Sequence, residues 1–258
     1  MKFALHVRFG RPAMEQFADR LDREIAENGG EVVKDPKVPP DMVLAVGGDG
    51  TMLAAVKSGI AWDVPVLGFN LGTLGFLTEA DPDDLATVVK RLTSGDYEVE
   101  ERLTVAASVG GVSASGINDV VVEKVDSTRL VSLSVVIDDT EFATYRADGL
   151  IVATPTGSTA YSFSAGGPVV DPRVDALVLT PVASHSLFDR PIVLPADSKV
   201  DVTVRRDRLV RVNVDKTDLG QMGEGETVGI MRGERPARFV TFRSTTFPGL
   251  VRDKFGLS

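Results

Sequence analysis

Three glycines surround one acid at Gly47-Gly48-Asp49-Gly50-Thr51. The apolar run Met42 to Val46 precedes this group, and the short helical pattern Met52 to Val56 follows it. A strand that breaks into glycines and restarts as a helix turns backbone N–H groups and a positive dipole end toward one point, an arrangement suited to phosphate. Glycine reaches positive φ without strain, and its missing Cβ lets a ligand approach the backbone. Asp49 would repel phosphate unless it held Mg2+ or received a proton. The competing reading makes Asp49 the cap of the following helix, but a turn needs one glycine and this one has three.

The second chemical segment runs from Asp148 to Pro168. The buried-looking strand Leu150 to Ala153 leads into Thr154-Pro155-Thr156-Gly157-Ser158-Thr159-Ala160-Tyr161-Ser162-Phe163-Ser164, and the pair Gly166-Gly167 follows. Hydroxyls bond sugar or phosphate oxygens, and Tyr161 can lie against a base or amide ring. Local serine and threonine turns account for single residues here. They account poorly for so long a run of small residues between hydrophobic strands, because it sacrifices core volume.

The elements that carry these segments fall into two textures. Lys2 to Val7 reads as a strand, and Pro12 opens a helix with Met14, Phe17, Leu21 and Ile25 on its apolar side. After the loop Pro36 to Pro40 come the strands Met42 to Val46 and Val64 to Gly68. Asp81-Pro82 then starts a helix whose buried stripe is Leu85, Val88, Val89 and Leu92. This alternation predicts a doubly wound α/β domain over residues 1–95 with ligand loops at the carboxyl ends of its strands. Beyond Gly95, short β-branched runs, from Tyr97 to Val109 through to Arg238 to Phe242, predict a mostly antiparallel β-sandwich over residues 96–244. The tail from about 245 to 258 is expected to pack back on the first domain. Trp62 is expected in the core or at a subunit contact.

Composition narrows the chemistry. The 258 residues include no cysteine and two histidines, so thiolate sites are excluded and a histidine zinc site is disfavoured. A net charge of −9 argues against nucleic-acid binding, which needs basic surface. No apolar run approaches the ~20 residues of a membrane-spanning helix, and Met1-Lys2-Phe3 leads into a strand rather than a signal peptide. We expect a cytoplasmic protein without membrane or nucleic-acid partners.

The first motif lacks the spacing of a P-loop or of a dinucleotide fingerprint. It resembles the Gly-Gly-Asp-Gly-Thr signature shared by NAD kinases, diacylglycerol and sphingosine kinases and, more distantly, phosphofructokinases. Three further segments narrow the likeness: Phe69-Asn70-Leu71-Gly72-Thr73-Leu74-Gly75-Phe76-Leu77, Asn118-Asp119 before a strand, and Leu179 to Leu187. With these and the Thr154 to Ser164 segment, the chain resembles the NAD kinase family, in its archaeal form, over nearly its full length and in the family's motif order.

The resemblance implies transfer of a phosphoryl group to the 2′-hydroxyl of the adenosine ribose of NAD, giving NADP. ATP or polyphosphate is the implied donor, and Mg2+ or another divalent cation assists. It makes Asp49 the acid/base carboxylate and places Gly47, Gly48, Gly50, Thr51 and Asn70 at the nucleotides. Asn118 and Asp119 then contact the adenosine portion, with Arg129, Arg146 and Asp148 at further NAD positions. Thr159, Ala160, Tyr161, Ser162, Phe163 and Ser164 form the loop around the dinucleotide. Contacts from a neighbouring subunit imply a homodimer or homotetramer. Two positions depart from the family pattern: Asp119 stands where Glu is usual, and Val214-Asp215-Lys216-Thr217 stands where Asp-Gly-Gln is common. A lipid or other small-molecule kinase of the same superfamily and a catalytically weak nucleotide-binding regulator are the alternative readings.

Overall fold

The computed structural model describes residues 1–258 apart from 9, 36, 72–74, 207, 244–245 and 258. In chain order the first elements are β1 (Lys2–Val7), α1 (Pro12–Glu27), β2 (Glu31–Val32), β3 (Met42–Val46), α2 (Asp49–Trp62), β4 (Val66–Phe69), α3 (Leu85–Ser94) and β5 (Glu98–Arg102). Then come β6 (Val105–Val109), β7 (Val112–Gly116), β8 (Asp119–Lys124), β9 (Val131–Ile137), β10 (Thr140–Ala147) and β11 (Gly149–Ala153). The short helix α4 (Tyr161–Ser164) precedes β12 (Ala176–Val182), β13 (Ile192–Pro195), β14 (Val200–Arg205), β15 (Val210–Val214) and β16 (Thr217–Met222). The chain closes with β17 (Thr227–Arg232), β18 (Ala237–Thr241) and α5 (Phe247–Phe255). It divides into two compact units, Met1–Glu101 with Ala237–Ser258, and Arg102–Pro236.

The first unit is built on a sheet of order β2-β1-β3-β4-β18-β5, with parallel pairing from β2 through β18. Alternate residues of a strand face opposite sides. Phe3 therefore joins Phe17, Leu21 and Ile25 of α1 and Val88, Val89 and Leu92 of α3 in one cluster, while His6 faces α2 and lies 2.9 Å from Ser58 through Nε2 and Oγ. Helices on both faces leave β3 and β4 buried along their whole length, which is why their sequences are apolar without alternation. Asp81 accepts a hydrogen bond from the Asp83 N–H at 2.9 Å and leads through a 3-10 turn, with Pro82 at its first position, into α3.

The second unit stacks two antiparallel six-stranded sheets, β10-β9-β14-β17-β6-β7 and β13-β12-β11-β8-β15-β16. Their inner faces share one core, with Val105, Leu133, Val202 and Ile230 from the first sheet meeting Val120, Val122, Leu150 and Val212 from the other. This is a β-sandwich. The outer face of β11 is covered too, since Ile151 and Ala153 cluster with Val121 and Val178 and are packed by Ala165 and Val170. The segment after β11 therefore folds back over its own strand.

Three expectations are corrected. The Arg238 to Phe242 strand was expected in the sandwich, but β18 lies in the first sheet, where Phe239 pairs in parallel with Val66. Tyr97 to Val109 is not one strand: β5 joins the first sheet and β6 the second. Of the two places expected for Trp62, core or subunit contact, its 41% exposure removes the core. Strands β7, β13 and β16 were not read from the sequence at all. Among the described residues, no helix is long and apolar enough to cross a membrane.

Candidate functional site

In the first unit the chain leaves β3 at Gly47, whose φ of +153° and crowding against Thr51 both demand glycine: a Cβ there would lie 2.5 Å from Thr51 Oγ1. The Gly47 N–H donates to the Phe69 carbonyl at 3.2 Å, which holds the turn against the end of β4 and beside Asn70. Gly48 occupies the cap position of α2 in extended conformation, with no side-chain cap bond. Asp49 is the first helical residue, so the helix-cap reading of its carboxylate is overturned. Its Oδ2 accepts from the Phe76 N–H at 3.4 Å, and its Oδ1 is buried without a hydrogen-bond partner. Gly50 is exposed and Thr51 half-buried behind it. Asn70 donates its backbone N–H to the Ala80 carbonyl at 3.1 Å. Gly72, Thr73 and Leu74 of the same motif lie outside the described residues.

In the second unit Asn118 and Asp119 open β8 beside the hydroxyl-rich segment. Thr154 donates through Oγ1 to the Ile117 carbonyl and accepts from the Gly157 N–H at 3.0 Å, while its own N–H reaches the Asn118 carbonyl at 2.8 Å. Gly157 is packed so tightly on Asn118 that any Cβ would collide with the Asn118 backbone. Ser158 Oγ donates to the Pro155 carbonyl at 2.6 Å and accepts from the Val170 N–H at 2.9 Å. Ser162 and Thr180 share a buried hydroxyl pair at 2.9 Å. Many of these hydroxyls therefore shape the loop, and Tyr161 and Phe163, each 41% exposed, are its projecting side chains. Thr159, the last residue of a 3-10 turn spanning Thr156–Thr159, and Ala160 after it are half-buried, and Ser164 is exposed at the end of α4.

Asp215, placed only by its likeness to a C-terminal motif, organises the Asn118 turn. Its carboxylate accepts from the N–H groups of Ile117 at 2.9 Å, Asn118 at 2.9 Å and Asp119 at 3.2 Å. Gly116 makes the approach feasible, since a Cβ there would lie 2.6 Å from the Asp215 carboxyl carbon. Asp119 is 5% exposed. Burial, with the Asp215 charge second, pushes its carboxyl up to about 7, so near neutrality it both donates and accepts. Burial first, then the Glu123, Asp148 and Asp119 carboxylates, raise the Tyr161 phenol. Asp148 is paired with Lys124 at 2.5 Å.

Two further predicted residues are exposed. Arg129 is exposed on the turn between β8 and β9. Arg146 is exposed on β10, its N–H donating to Ser186 Oγ at 3.0 Å and its carbonyl accepting from the His185 N–H at 2.7 Å. Among the described residues no cluster of three His, Asp or Glu side chains forms a metal cage.

Residues 14–97 match the ATP-NAD kinase N-terminal domain and residues 117–242 the ATP-NAD kinase C-terminal domain. A curated NAD kinase of Gemmatimonas aurantiaca is 41% identical over 90% of this chain and 82% of its own length, and one from Thermococcus sibiricus is 37% identical over 84% and 79%. Among solved structures, an NAD kinase from Archaeoglobus fulgidus in complex with ATP covers 98% of this chain and 99% of its own, at 27% identity and a TM-score of 0.79. Yeast NADH kinase complexed with NADH shares the fold, with a TM-score of 0.87 over 100% of this chain and 88% of its own at 24% identity. The relatives span bacteria and archaea. With both family domains matched in order and full-length relatives near 40% identity, the chain belongs to the NAD kinase family and is an enzyme that phosphorylates NAD.

Proposed function

We propose that the acceptor is the 2′-hydroxyl of the adenosine ribose of NAD and that Asp49 is the group that takes its proton. The hydroxyl oxygen forms a bond to the γ-phosphorus of ATP, the bond from that phosphorus to the β,γ-bridging oxygen breaks, and ADP leaves as the proton passes to Asp49. The observation that carries this reading is the Asp49 carboxylate standing directly behind a glycine turn at a helix N-terminus, with one oxygen accepting a long bond and the other unpartnered among the described residues. Phosphoryl transfer proceeds through a loose transition state, so the protein chiefly positions groups and balances charge. The N–H groups of the Gly47 to Thr51 turn suit phosphate oxygens. Mg2+ would be carried by the nucleotide phosphates and neutralise charge there, Asp49 being the nearest protein carboxylate of the turn.

Asn118, Asp119 and the Thr159 to Ser164 loop hold the dinucleotide in this reading, with Tyr161 and Phe163 offering ring faces. Asp148 helps frame that loop. Arg129 and Arg146 reach a ligand through a homodimer or homotetramer. Exposed apolar side chains beside Arg146 support an assembly: Phe142 and Phe188 lie edge to face at 5.9 Å, and Leu187 is fully exposed. Free NAD and ATP and the absence of cysteine fit a cytoplasmic enzyme. The test is incubation with NAD, Mg2+ and either ATP or polyphosphate, with NADP measured and its phosphate located by NMR. A product phosphorylated at any other hydroxyl sinks the assignment.

A further inference from the structure

One residue past the Phe69 to Leu77 motif, Thr78 shares the surroundings of Gly75 with Asp49. The N–H groups of Glu79 and Ala80 both donate to the Gly68 carbonyl, at 3.2 and 3.1 Å, and Ala80 forms an isolated parallel bridge with Phe69. The Thr78 side chain fills space that Gly68 leaves open: a Cβ on Gly68 would lie 2.9 Å from Thr78 Cγ2 and 2.9 Å from Met52 Sδ. Thr78 is 7% exposed. Its hydroxyl is buried with no hydrogen-bond partner among the described residues, as is Asp49 Oδ1. The two oxygens border one small space, since a Cβ on Gly75 would overlap Asp49 Oδ1 and lie 2.9 Å from Thr78 Oγ1. A buried oxygen without a partner is costly. Two of them flanking one point, beside a glycine that gives them room, form a complementary pair: a threonine hydroxyl donates and a carboxylate only accepts.

We propose that Thr78 is a positioning residue for Asp49. Its hydroxyl donates to Oδ1 when nucleotides bind, so that the carboxylate is fixed in rotation and Oδ2 is presented to the acceptor hydroxyl. Catalytic hydrogen bonds are often open in the free enzyme and tighten in the complex. The inference rests on the assignment of Asp49 as proton acceptor, and the experiment separates the two.

Wild type, Thr78→Val, Thr78→Ser, Asp49→Asn and the Thr78→Val/Asp49→Asn double variant are assayed for NADP formation and melting temperature. Valine keeps the branched shape and removes the donor. We expect kcat to fall about ten- to hundredfold, the range of a hydrogen bond to a charged group, with KM for NAD and ATP unchanged. Serine restores most of kcat, and valine adds nothing once Asp49 is already Asn. Retained kcat in Thr78→Val overturns the inference while leaving Asp49 in place. Equal kcat in the valine and serine variants, or loss of kcat in step with KM and melting temperature, overturns it too. Retained turnover in Asp49→Asn overturns the parent assignment instead. If valine does not fold, Thr78→Ala against Thr78→Ser compares the same hydroxyl: a tenfold advantage for serine upholds the inference, and equality removes it.

Discussion

Each unit holds an aspartate beside a glycine at the end of a strand, and the two are treated in opposite ways. Asp215 is saturated, with three backbone N–H groups converging on its carboxylate. Among the described residues, Asp49 has one long N–H bond on one oxygen and nothing on the other. Saturation makes Asp215 a structural rivet for the Asn118 turn. The open valence of Asp49 suits the role proposed for it, that of a group meeting a ligand hydroxyl. Asp119 lies between these cases, buried next to a carboxylate whose hydrogen bonds are already committed.

The contrast is broken most forcefully by exchanging charge for amide at the open site. Asp49→Asn should lower kcat by roughly 10²–10⁴, the loss of a general base, while melting temperature and NAD affinity stay near wild type. Steady-state kinetics with calorimetry reads all three. The saturated site should respond in the reverse sense: Asp215→Ala leaves three N–H groups without an acceptor and should cost on the order of 3–6 kcal/mol in urea unfolding. Loss of kcat without loss of stability in that variant would erase the distinction between the two aspartates.

Asp119 sharpens the comparison through pH. Its carboxyl sits at about 7 in the folded chain against 3.8 as a free group. Between those values the folded state holds a proton that the unfolded state has released, so stability declines as pH rises through this window and levels off above about 7. Asp119→Asn removes the slope, and at pH 8 it should be more stable than wild type by up to about 4 kcal/mol, three units at about 1.4 kcal/mol each. Urea titrations at pH 5 and pH 8 check both statements. Asp119→Ala should weaken NAD binding more than ATP binding, and calorimetry showing equal effects would remove Asp119 from the acceptor site.

The smallest effect belongs to a third orphan. Tyr145 is fully buried in the sandwich core with its hydroxyl unpartnered, and burial raises that phenol. It lies within β10, away from any strand-end glycine turn. Tyr145→Phe should therefore gain about 1 kcal/mol with kcat unaltered, in contrast to Thr78→Val. Thermal unfolding and a turnover assay decide.

The open site was legible in sequence because its signal is local: a strand, three glycines and a helix occupy consecutive residues. The apolar stripes of α1 and α3 were equally plain. Thr78 was invisible because its meaning depends on sharing the space around Gly75 with Asp49, 29 positions away along the chain. The role of Asp215 depends on a contact with residues nearly a hundred positions away. Strands β7, β13 and β16 carry few consecutive β-branched residues and are decided by pairing with a neighbour. The sequence of β18 suits either sheet, and only its parallel partner β4 says which.

That placement of β18 bears on how the chain is made. In the first sheet β18 stands between β4 and β5, so β5 has no strand to pair with until residues 237–241 have left the ribosome. The sandwich, contiguous from Arg102 to Pro236, has all its strands by then. The unit whose glycine turn is synthesised first is thus the last to close its sheet, and the long sequence separation makes that closure a slow, late step. Until it happens, the edge of β4 is unpaired beside the glycine turn, and the nascent chain carries Asp49 on an unfinished scaffold.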